Sequence, residues 1–168
     1  ALAAASAAYV LGIPGRAVKL GLEGFFGAGR RFECKGQCRG AKIYDDYAHH
    51  PAEIHALLEM TRSLGYDRVI CAFQPHTYSR TKALFADFVR ELKKADLAVL
   101  TDIFAAREKN TAGVSSRDLA AEIPGALYCP SLQEAEQCLM DLARPGDLIL
   151  TVGAGDIYTV GEALARHG

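Results

Sequence analysis

The sequence predicts an open, doubly wound α/β sheet, mainly parallel, with an N-terminal β-hairpin and a short helical stretch ahead of it. Two observations carry this reading. The runs RVICAF (68–73) and LILTV (148–152) are apolar without alternation, the pattern of strands buried on both faces. Segments with helical spacing separate the strand-like runs, as crossovers between parallel strands require.

Residues 2–11 are alanine-rich and stop at Gly12, which predicts a helix. Pro14 opens a second short helix, PGRAVKLGLEGF, with proline in its first turn. Gly24, Gly27 and Gly29 then interrupt any regular element, so residues 24–29, which include Phe25 and Phe26, are the expected linker. The alternating runs RFECKG and RGAKIYDDY around Gly36 and Gly40 predict the hairpin. Beyond it come a helix over 51–65, a strand over 68–73 and a helix over 81–94. A strand over 97–101 and a helix over 115–123 follow, then a weak strand over 126–129 and a helix over 131–143. The strand at 148–152 and a helix from Asp156 close the chain. The expected division is 1–29, the end of a preceding domain with its linker, and 30–168, the α/β domain.

At 168 residues, the chain suffices for one globular domain with a little left over. A net charge of −1 lacks the basic excess of a nucleic-acid module. No apolar run approaches the ~18 residues that span a bilayer. The opening ALAAASAAYVLG begins with Ala, and lacks the basic start of a signal peptide, so a fragment of a longer cytoplasmic protein is expected. The five cysteines are odd in number and form no CxxC pair, as in a reducing compartment. Cys34 and Cys38 are the pair that could face each other across the hairpin; free thiols are the expected state.

In doubly wound sheets ligands bind beyond the carboxyl ends of the strands, and the unusual residues fall there. The first parallel strand leads into Asp45-Asp46-Tyr47-Ala48-His49-His50-Pro51 and the second into Gln74-Pro75-His76-Thr77-Tyr78-Ser79-Arg80-Thr81. The third leads into Asp102 and the loop 105–116, the last into Gly153-Ala154-Gly155-Asp156. Neighbours on a strand face opposite sides, which gives Asp46 to a ligand and Asp45 to structure. Pro51 opens a helix, whose free amides are either capped by Asp46 or His49 or hold an anion. Arg80 offers a planar fork for a carboxylate or phosphate. His49, His50, His55 and His76 do not form a metal-ligand pattern, because adjacent histidines rarely aim at one ion; no metal site is predicted. Gly153-Ala154-Gly155 is a weak nucleotide fingerprint and a credible turn for close backbone approach. GxxxxGK[ST], GxSxG and HExxH strings do not occur in the sequence.

The strings RRFE (30–33), DDYAHHPAEI (45–54), FQPHTYSRTK (73–82) and GAGDI (153–157), in this order, resemble the carboxy-terminal region of the Mur ligases. QPHTYSRT is specific within the family, to the branch that joins L-alanine to UDP-N-acetylmuramate. The resemblance implies a Rossmann-like third domain over most of the chain, and the end of a central ATP-binding domain over residues 1 to about 24. It implies a reaction in which MgATP phosphorylates the lactyl carboxylate and the neutral amine of L-alanine attacks the acyl phosphate. The P-loop, the UDP site and most of the hold on ATP and Mg2+ are implied to lie in domains outside this sequence, so the fragment alone is expected to be inactive.

Residue by residue, the resemblance implies that His76 and Arg80 hold alanine, with Tyr47 and His49 lining the space between nucleotide and amino acid. Gly155, in the 153–156 turn, borders the same pocket. Arg31 is implied to approach the ATP phosphates and Asp46 the ribose. Thr77 stands where some members have arginine, and Ala48 where other ligases have lysine. Two further readings compete: the relative that attaches a preformed peptide to the same sugar nucleotide, which shares the HHP string, and a non-catalytic module that binds an amino acid or nucleotide.

Overall fold

The computed structural model describes residues 2–25 and 27–168. Its sheet contains β1 (Glu33–Cys38), β2 (Ala41–Asp46), β3 (Arg68–Phe73), β4 (Leu97–Leu100), β5 (Leu127–Tyr128) and β6 (Asp147–Val152). They lie in the order β1-β2-β6-β3-β4-β5. The β1–β2 hairpin is antiparallel and every other pairing is parallel. The doubly wound, mainly parallel sheet with its N-terminal hairpin is therefore the observed fold.

The helices are α1 (Leu2–Val10), α2 (Gly15–Glu23), α3 (Pro51–Arg62), α4 (Tyr78–Ala83), α5 (Phe85–Leu92), α6 (Ser116–Ala121), α7 (Leu132–Leu142) and α8 (Tyr158–Ala165). One face of the sheet packs α3, α5 and α6, with Ile54, Phe88 and Leu119 against Cys71, Phe73 and Leu150. The other packs α7 and α8, with Leu139 and Leu164 against Ile43, Ile70 and Ile149. Adjacent strand residues supply opposite faces, and all six residues of β6 are buried, so apolar runs without alternation are what the strands need.

The connections leaving β2 and β3 pass to one face, while the connection leaving β6 between them passes to the other. The chain thus parts on either side of β6, where a doubly wound sheet opens its crevice. In register, Asp46, Val152, Phe73 and Leu100 form one row across the sheet, so the loops that follow start level.

Several expectations need correction. The helix read over 81–94 starts at Tyr78 and breaks at Leu84, giving α4 and α5. In one continuous helix Arg80, Leu84 and Phe88 would share a face. The break lets Phe88 enter the core while Arg80 stays half-exposed at the sheet edge. Cys34 and Cys38 both lie on β1, so they do not oppose each other across the hairpin, and all five cysteines are free thiols.

α1 and α2 carry little of the buried core: Ala8 is their single buried residue, whereas Tyr9 and Val10 are more than 80% exposed. Phe25, within the expected linker, is exposed. Phe26 lies outside the described residues. Among the described residues no helix is long and apolar enough to cross a membrane.

Candidate functional site

The site grows from the row Asp46–Val152–Phe73. Two backbone hydrogen bonds extend it one residue: the N–H of Gly153 donates to the Asp46 carbonyl (3.1 Å) and that of Gln74 to the Val152 carbonyl (3.0 Å). Past β3 and β4 the chains touch once more, where Thr77 N–H donates to the Phe104 carbonyl (2.9 Å) and Phe104 N–H to the Pro75 carbonyl (2.8 Å). This added bridge lays the His76 ring on the Phe104 ring, centroids 5.5 Å apart and 18° from parallel.

His49 faces His76 from the β2 side at 6.2 Å, and Tyr47 packs edge-on to His49 at 5.5 Å. Arg80, on α4, brings a guanidinium nitrogen to 3.4 Å from His76 Nδ1 and forms no ion pair among the described residues. Burial, the Arg80 charge and His49 lower the affinity of His76 for a proton, against a smaller opposing pull from Glu108. The cluster thus presents a neutral imidazole beside an unpaired cation. Of the predicted amino-acid residues, the structure brings Tyr47, His49, His76 and Arg80 together.

The adjacent aspartates differ in burial. Asp45 is fully buried and accepts hydrogen bonds from Arg30 Nε (2.9 Å) and Thr151 Oγ1 (2.7 Å). Asp46 is half-buried, and its two oxygens accept the backbone N–H groups of Phe32 and Ala48, each at 2.8 Å. Each oxygen keeps a lone pair for a ligand hydroxyl. Arg31 is exposed, its guanidinium 5.7 Å from the Tyr47 ring.

The cap on α3 is neither Asp46 nor His49. His50 Nδ1 accepts the Ala52 N–H (3.2 Å), and Glu53 accepts the N–H groups of His49 and His50. The helix start is therefore satisfied from within, which leaves His49 free to face His76. His55 turns away to Glu91 on α5 (3.0 Å). No group of three His, Cys, Asp or Glu side chains converges as metal ligands among the described residues.

Sequence reasoning missed Gln74 and Phe104. Buried Gln74 donates to Asp156 (2.7 Å) and accepts the Ile157 N–H (3.1 Å), pinning the 153–156 turn to the end of β3. A Cβ on Gly155 would run into Gln74 Oε1 and lie 2.7 Å from Phe104 Cγ. The close approach at this turn is thus to side chains of the domain itself. Gly155→Ala is expected to lower stability by about 2 kcal/mol, through overpacking against both neighbours. Urea unfolding measures it, and a change below about 0.5 kcal/mol, the usual range for an unconstrained surface site, contradicts it.

Residues 30–155 match the family described as Mur ligase, glutamate ligase domain. The chain is 48% identical over 166 residues to the UDP-N-acetylmuramate--L-alanine ligase of Caldanaerobacter subterraneus subsp. tengcongensis, covering 96% of this chain and 36% of that protein. With the enzyme of the same name from Acetivibrio thermocellus the identity is 48% over 170 residues, 99% of this chain and 36% of that one. Among solved structures, UDP-N-acetylmuramate-alanine ligase from Thermotoga maritima superposes with a TM-score of 0.73 at 26% identity, over 96% of this chain and 35% of that one. The chain thus spans little more than a third of the length of these relatives. The family match spans Tyr47, His49, His76 and Arg80 at the carboxyl edge, and the chain belongs to the Mur ligase family.

Proposed function

We propose that this chain is the amino-acid-binding third of a cytoplasmic ligase that joins L-alanine to UDP-N-acetylmuramate at the expense of ATP. The observation that carries the reading is the unpaired Arg80 guanidinium beside the neutral His76 ring, at the sheet edge of a chain nearly half identical to ligases of that name. In this reading residues 1–29 end the preceding domain and 30–168 form the third one. In the first step the lactyl carboxylate takes the terminal phosphoryl group of ATP and ADP leaves. In the second the alanine amine attacks the acyl carbon, and phosphate leaves as the amide forms.

Arg80 suits the alanine carboxylate, because a guanidinium fork fixes both its charge and its orientation. The same positive charge disfavours protonation of an amine bound beside it, which favours the nucleophilic form. Tyr47, His49 and Gly155 line the remaining space. Arg31 takes the ATP phosphates and Asp46 the ribose, through the oxygens that also order Phe32 and Ala48. Ala48 is buried and Thr77 lacks a guanidinium, so neither makes the contact that lysine or arginine makes there in other members. No three His, Cys, Asp or Glu side chains converge among the described residues, and in this reading Mg2+ is held mainly by the preceding domains.

The test is turnover by the intact protein supplied with MgATP and UDP-N-acetylmuramate. ADP release is expected with L-alanine and not with a preformed peptide. Preference for the peptide moves the chain to the related peptide-adding ligase. Binding without turnover, with the upstream domains present, leaves a non-catalytic module.

A further inference from the structure

Arg30 is the most heavily engaged side chain at the site, and the assignments above leave it without a role. Its Nε donates to Asp45 (2.9 Å), one terminal nitrogen to the Gly155 carbonyl (3.0 Å) and the other to the Gly153 carbonyl (2.6 Å). The Tyr47 and Tyr158 rings lie 5.0 and 4.6 Å from the guanidinium carbon. Its backbone is committed too, the N–H to Glu33 (2.7 Å) and the carbonyl to the Tyr47 N–H (2.8 Å). Arg30 holds this position at a φ of +57°, a left-handed conformation unfavourable to a non-glycine residue, so the surrounding contacts must fix it.

Apart from Glu33, three residues further on, these partners come from three parts of the domain: the end of β2, the turn after β6 and the start of α8. Arg31, on the nucleotide side, is the next residue; Tyr47 and Gly155 lie on the amino-acid side. We propose that Arg30 is a positioning residue for both substrates, one planar group that sets the 153–155 turn, the Tyr47 ring and the direction of Arg31 together. The role rests on the ligase reading above. A lysine cannot take its place, because an ammonium on a flexible stem has no fixed fork to reach a carboxylate and two carbonyls at once.

The experiment compares Arg30→Lys with the parent in the intact ligase, reading kcat and KM for alanine and ATP separately, with the melting temperature as a check on folding. Arg30→Lys is expected to fold and to lose about tenfold in kcat/KM for alanine and for ATP alike, the loss of roughly one charge-assisted contact at each side. Parental constants in a folded Arg30→Lys protein overturn the proposal, since charge balance with Asp45 would then be the whole role. A loss confined to one substrate overturns it as well. Should the lysine variant not fold, Tyr158→Leu removes one stacked ring and leaves the hydrogen bonds of Arg30 in place. A smaller paired loss is then expected, and unchanged constants overturn the role. An inactive parent protein counts against the ligase reading and takes this role with it, whereas an active parent with an unaffected variant counts against Arg30 alone.

Discussion

Arg80→Ala in the intact ligase is expected to raise the KM for alanine about a hundredfold while moving the KM for ATP by no more than about twofold. Truncating one member of a hydrogen-bonded charge pair that is shielded from water costs about 2–5 kcal/mol, and about 2.7 kcal/mol corresponds to a hundredfold. The asymmetry follows from position. Arg80 stands on α4 past the end of β3, beside His76. Arg31 and Asp46 stand at the ends of the hairpin, on the far side of β6 in the strand order. Initial rates at saturating UDP-N-acetylmuramate, with alanine and ATP varied in turn, measure both constants. Equal increases would remove Arg80 from the alanine carboxylate and make it a general scaffold residue. Arg80→Lys separates charge from geometry: if the fork matters, lysine recovers only a small part of the affinity.

The part of the fold that was legible in the sequence is the part set by local pattern. A strand buried on both faces needs an apolar residue at nearly every position, which 68–73 and 148–152 supply; the helices between them show their spacing equally openly. The placement of β6 between β2 and β3 was not legible. Parallel strands of similar composition carry no mark of their neighbour, and these pairings join residues 106 and 79 positions apart. The break at Leu84 was hidden for a related reason. Residues 81–94 are consistent with one helix, and only the conflict between a core face for Phe88 and a site face for Arg80 divides it.

The site was legible where strand ends concentrate unusual residues, since the carboxyl edge follows from the order of elements along the chain. That rule brought Tyr47, His49, His76 and Arg80 into view among their neighbours, the family resemblance singled them out, and the structure gathers them. Gln74 and Arg30 escaped because their importance lies in long-range partners. Nothing in the dipeptide Arg30-Arg31 says which arginine turns inward. The choice is made by the Gly153 and Gly155 carbonyls, more than 120 residues away, and by a carboxylate buried beneath them. Phe104 was lost in a polar loop, where a lone aromatic residue has no periodicity to betray its contact with His76.

On the proposed reading the neighbouring aspartates separate structure from ligand contact. Asp45→Ala is expected to lower the stability of the chain by about 3 kcal/mol, within the range for removing one partner of a buried ion pair. Its carboxylate is fully enclosed, and its loss strands the Arg30 Nε–H and the Thr151 hydroxyl. The Arg30 side chain is 21% exposed, so water reaches part of the freed charge and holds the loss near the lower end. Asp46→Ala removes acceptors from two backbone N–H groups at a half-exposed position, and about 1–2 kcal/mol is expected. Urea unfolding followed by far-UV circular dichroism suits a chain without tryptophan, and unchanged m-values would place the difference in stability rather than in the unfolded state. In the intact ligase the order should reverse for nucleotide affinity: the KM for ATP rises several-fold in Asp46→Ala, on the scale of one lost hydrogen bond to a charged group. If Asp46→Ala proves the more destabilising of the two, the buried Arg30–Asp45 pair is not what holds the turn after β6 to the hairpin, and the division of roles between the two carboxylates fails with it.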